Sequence, residues 1–104
     1  MKNRIFGVGH GLAAIAAFFF GHELFHETGQ ITSLFAFYAV TLVMSGLSAF
    51  VLLVAPEKMK QFVRTWNWVL LAASLLAVWL GTTPALRAHN LWFLGFSALA
   101  CAFY

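Results

Sequence analysis

The stretch ITSLFAFYAVTLVMSGLSAFVLLV, residues 31–54, carries no Asp, Glu, Lys or Arg in 24 positions. Wound as an α-helix it extends about 36 Å, enough to cross the roughly 30 Å of hydrocarbon in a bilayer. A helix that is apolar on every side is either enclosed by a large protein or placed in lipid. The chain has 104 residues, too few to enclose it, so the stretch reads as a transmembrane helix.

Three more apolar segments flank it, at about 5–25 on one side and at about 62–80 and 85–104 on the other, each free of Asp, Glu, Lys and Arg in its central part. Each is near the ~20 residues that a spanning helix needs. The expected fold is an all-α integral membrane protein, with four transmembrane helices in an up-down bundle joined by short loops and one domain over residues 1–104. Turn chemistry fits these limits. Gly29 can end the first helix in a left-handed conformation after Thr28. Pro56 forces Ala55 out of helical geometry, and Thr83-Pro84 reads as a cap followed by a first helical residue.

Composition excludes an ordinary soluble domain. Residues are 62% hydrophobic and 9% charged, with mean hydropathy +0.88, whereas soluble domains carry about 25% charged residues. The net charge of +3 is no nucleic-acid footprint, and no nucleic-acid partner is expected. Its basic residues form two clusters, Lys2/Arg4 and Lys58/Lys60/Arg64, while the opposite loops and helix ends hold Arg87 with Glu23 and Glu27. Basic residues favour the cytoplasmic side of a span. Both termini are therefore expected on the cytoplasmic or equivalent side of a bacterial inner, organelle or thylakoid membrane. The bulky Phe18-Phe19-Phe20 before His22 gives no small-residue cleavage site, so the first segment is expected to be a retained span. Cys101, the single cysteine, reads as a packing residue.

Trp66 and Trp68 are expected at the inner interface, and Trp79 and Trp92 toward the outer one. Small residues recur at helical spacing: Gly7, Gly11, Ala14 and Gly21; Ser45 and Ala49; Ala73, Ala77 and Gly81; Gly95, Ala98 and Ala102. Lipid supplies no hydrophobic drive between helices, so close backbone approach at such faces must hold them together. Packing inside the bundle is the expectation for all four faces, with docking of the first helix onto another subunit as the sharper alternative.

Chemistry could reside in two places. His22-Glu23-Leu24-Phe25-His26 matches the H-E-x-x-H pattern, in which two histidines on one helical face share a metal and the Glu acts on bound water. A chain this short leaves no peptide-binding cleft, so a protease is not expected. A metal site of His22, His26, His89 and Glu23 at the outer face could take zinc, copper or iron, though interfacial residues touching headgroups are the simpler reading. His10 lies inside the first segment, flanked by Gly7, Gly9 and Gly11. An ionisable residue there is a functional candidate. It could hydrogen-bond a neighbouring helix, or bind haem or chlorophyll with the glycines admitting a flat ring. Thr41, Ser45 and Ser48 are expected to bond back to their own helix.

No catalytic constellation emerges. The function expected from these features is that of a small non-catalytic accessory subunit of a larger electron-transfer or photosynthetic membrane complex. It would stabilise neighbours and hold a pigment, haem or lipid. Its partners would be the lipid bilayer and other membrane subunits. The alternative is a small membrane metal-binding protein or enzyme that uses the outer His/Glu cluster.

Overall fold

A computed structural model describes residues 2–29, 33–54, 60–81 and 84–104. They form four helices: α1 over Lys2–Thr28, α2 over Ser33–Val54, α3 over Lys60–Leu80 and α4 over Pro84–Phe103. The expected stops and starts appear where they can be seen. Gly29 adopts φ +66° and its N–H donates to the Phe25 carbonyl at 2.7 Å, closing α1. Pro84 is the first residue of α4, where its missing N–H costs nothing. The turn expected at Ala55-Pro56 and the cap expected at Thr83 lie outside the described residues.

Three helices are long and apolar enough to cross a membrane, over Arg4–Glu27, Ser33–Val54 and Gln61–Leu80. The fourth, expected as a span over 85–104, is helical but does not meet that standard. The cause is its first two turns, where Arg87, His89 and Asn90 lower the hydropathy of a 20-residue helix.

α1 lies along α2 and α3 along α4, giving two helical hairpins joined mainly through α2 and α3. Of the helix pairs that are neighbours, α1 and α4 share the slightest contact. Around this ring, α1 and α3 stand on one diagonal and α2 and α4 on the other. The bundle is 41 Å long and 22 × 17 Å across, so its long axis exceeds the hydrocarbon thickness.

Small residues close the first hairpin as expected. A Cβ added at Gly7 would sit 2.8 Å from Leu53, and one at Gly21 would sit 3.2 Å from Tyr38 Cβ. Only hydrogen fits there, which lets α1 and α2 approach closely. The face expected to pack α4 inward is turned the other way: Gly95, Ala98 and Ala102 are exposed, and a Cβ at Gly95 meets nothing within 4 Å. The inward face of α4 is Asn90, Phe93, Ser97 and Ala100 instead.

Contacts pin the helices in register at both ends. At the end where α1 stops and α2 starts, expected to face outward and called outer on that ground, Gly21 abuts Tyr38, Tyr38 bonds Asn90, and Asn90 bonds Ala77. At the inner end Leu52 packs with Val63, and the Phe6 ring meets Tyr104 edge-on at 5.6 Å. Stepping between these ends by three and four residues along each buried face gives three further layers. They are Ala17, Thr41, Ser74 and Phe93; then Ala14, Ser45, Leu70 and Ser97; then His10, Ser48, Asn67 and Ala100, all buried.

The polarity of the molecule is inverted relative to a water-soluble bundle. His10, Thr41, Ser45, Ser48, Asn67, Ser74, Asn90 and Ser97 are buried, while Leu12, Phe19, Val43, Phe50, Leu76 and many like them are exposed. In water such an exterior would aggregate; in lipid it is solvated, and the buried polar groups hold the helices together. The tryptophans divide accordingly. Trp68, Trp79 and Trp92 face outward at 62%, 79% and 75% exposure, but Trp66, expected at the inner interface, is 4% exposed. Its indole N–H donates to Ser45 Oγ at 3.0 Å across the α2–α3 contact, which is why the ring turns inward.

Candidate functional site

The interior holds two polar clasps, each spanning one diagonal of the bundle. The inner clasp joins α1 to α3. His10 Nδ1–H donates to the Phe6 carbonyl one turn back at 2.7 Å, and His10 Nε2 stands 2.8 Å from the position assigned to Asn67 Oδ1. A neutral imidazole carries one N–H, and here it is committed at Nδ1. Nε2 is therefore an acceptor, and the Asn67 amide, whose O and N ends exchange by a half-turn, presents its NH2 to it. The Phe96 ring lies edge-on to His10 with centroids 4.9 Å apart.

The outer clasp joins α2, α3 and α4. Tyr38 donates its hydroxyl proton to Asn90 Oδ1 at 2.6 Å, and Asn90 Nδ2 donates to the Ala77 carbonyl at 2.8 Å. All three residues are buried. Amide and phenol groups that each hold a hydrogen-bond partner lose less on leaving water than bare ones. Each clasp ties one hairpin to the other: His10 and Tyr38 come from the first, Asn67 and Asn90 from the second.

His10 thus sits in the hydrogen-bonding role, with both ring nitrogens engaged. Two of the three glycines beside it are packed: Gly7 faces Leu53, and a Cβ at Gly9 would lie 2.6 Å from Phe96, while at Gly11 it would meet only Ala49, at 3.9 Å.

The outer histidines do not converge. His22 stacks between Phe18 and His26 on α1, with ring centroids 6.3 and 6.4 Å away. His22 borders a groove of ≈ 450 Å³ shared with α2. His89 lies flat against Phe20 at 3.9 Å, and Phe20 borders the separate groove between α1 and α4. The helix between them separates His89 from the His22/His26 pair, and Glu23 is exposed. Among the described residues, no three His, Cys, Asp or Glu side chains are grouped to hold a metal ion.

One further expectation is corrected. Ser45 Oγ accepts from Trp66, while Thr41 Oγ1 and Ser48 Oγ bond neither to their own helix nor elsewhere among the described residues. In contrast, Ser97 does bond back, donating to the Leu94 carbonyl at 3.0 Å. Arg87 Nε–H donates to the Gly81 carbonyl at 3.0 Å, fastening the end of α3 to the start of α4.

Tyr38, Asn67, Asn90 and Ser74 escaped the sequence reading. Their signal was present as spacing: Tyr38, Thr41, Ser45 and Ser48 follow one another by three and four residues, and Asn67/Ser74 and Asn90/Ser97 each lie seven apart. No protein-family model matches the chain, and no curated protein or solved structure matches it either.

Proposed function

We propose that the chain is a small non-catalytic subunit of a larger membrane assembly, crossing the bilayer four times with both ends on the cytoplasmic or equivalent side. The observation that carries this is the inverted polarity. The interior polar groups are used to hold the two hairpins together, while the exterior offers apolar and small side chains suited to lipid and to other helices.

Helix α4 fits a fourth span despite its lower hydropathy. Asn90 is buried and partnered, and Arg87 lies in the first turn, bonded to Gly81. Asn90 thus meets protein rather than lipid, and Arg87, exposed in the first turn, lies at the helix end where a charge can reach the interface, so both add little to the cost of crossing. The outward face of Gly95, Ala98 and Ala102 allows a neighbouring helix close approach. An electron-transfer or photosynthetic host was expected from the small size, the spans free of acidic residues, the aromatic surface and the isolated His10. The proposal extends to a membrane assembly of unstated chemistry.

Mild-detergent extraction of the natural membrane, followed by native mass measurement, tests the reading. Migration with larger membrane proteins supports it. A particle containing only copies of this 11.5 kDa chain overturns it.

A further inference from the structure

Three hydroxyls in the bundle interior stand out: Thr41 Oγ1, Ser48 Oγ and Ser74 Oγ. Their residues are completely buried, and none of the three atoms has a hydrogen-bond partner among the described residues. A serine or threonine in a helix can always turn back to a carbonyl of its own preceding turn, as Ser97 does. These three do not, so each is left to a partner elsewhere.

Their places are not scattered. Thr41 and Ser74 share one layer, on the adjacent helices α2 and α3, directly inward of the Tyr38–Asn90 clasp. Ser48 shares the layer of the His10–Asn67 clasp. Each clasp also has unused capacity. In the outer clasp the Tyr38 oxygen donates its proton and can still accept, and the Asn90 amide has a second N–H; in the inner clasp only one end of the Asn67 amide meets His10. Thr41 and Trp66 further border an open, mainly apolar groove of ≈ 280 Å³ between α2 and α3, which Ser74, Tyr38 and Asn90 do not line. A buried water needs about two to four polar partners, and the outer level supplies them.

We propose that the bundle binds water at these two levels: one site among Thr41, Ser74 and the Tyr38–Asn90 pair, a second beside Ser48 and the His10–Asn67 pair. The water belongs to the fold. It completes the hydrogen bonding of an interior whose helices present hydroxyls instead of methyl groups, and it links each clasp to the layer next to it. Buried hydroxyls bridged by water lose little relative to the same groups in bulk solvent.

The test is water-to-protein magnetisation transfer by NMR on the full chain in lipid nanodiscs. Wild-type protein should show transfer to the Thr41 and Ser74 side chains and to Ser48. In Thr41→Val/Ser74→Ala, transfer at the outer level should vanish while that at Ser48 remains, and Tm should fall. Absence of transfer in the wild-type chain overturns the proposal without reference to any variant. Transfer that persists at the outer level after both hydroxyls are removed overturns the assignment of that site. A variant Tm equal to or above wild type also counts against it, because a dry, orphaned hydroxyl is costly to bury and its removal should help.

Discussion

Asn90 serves two helices at once, accepting from Tyr38 and donating to Ala77. Asn90→Leu should destabilise the bundle by about 1–3 kcal/mol, since it strands a buried phenol. Tyr38→Phe should cost less, about 0.6 kcal/mol, the mean for a hydrogen bond between membrane helices. Unfolding in lipid checks both, and the double variant should cost less than the two singles summed, because the stranded group is gone. At the inner clasp, ring 15N shifts should report the Nδ1–H tautomer of His10. A doubly protonated ring would mean that Asn67 presents its oxygen instead. His10 was legible in the sequence because an ionisable group within an apolar run is conspicuous. Its partner was not. Asn67 is uncharged and lies near the polar start of its helix, where an amide needs no explanation, so only the fold reveals that it faces inward.

The helices themselves were largely legible, because length and apolar content decide where a chain can cross lipid. Their rotations were less so. With apolar residues on every side, no moment points to the core, and the faces are set by small and polar residues that compete for the interior. On α1 the glycines won, and on α4 Asn90 and Ser97 displaced the expected Gly95/Ala98 face. Two substitutions separate these outcomes. Gly21→Val should destabilise the first hairpin by about 1–3 kcal/mol through overpacking against Tyr38. Gly95→Leu meets open space, so the purified bundle should keep its melting temperature, while native assembly size should shrink if α4 is the docking face. Retention of the full assembly would remove α4 from that role.

For the whole molecule, the inverted polarity was not read from composition, since composition counts residues and not the side on which they lie. The four-span arrangement has its own check. A reporter fused after Tyr104 should read the same side of the membrane as one fused before Met1. Opposite sides would leave α4 lying along the surface, with Asn90 deprived of its place between Tyr38 and Ala77. The division of labour between inside and outside also reverses how this chain can tolerate change. In a water-soluble protein most interior positions are apolar and exchange among themselves, and adding a surface charge is routine. Here the exterior can drift among Leu, Val, Ile and Phe with little consequence but admits no charge at mid-depth, whereas the interior refuses leucine at Asn67, Tyr38 and Asn90. The memory of the fold is thus carried by a few uncharged polar positions, and the abundant hydrophobic letters that announce the membrane carry almost none of it.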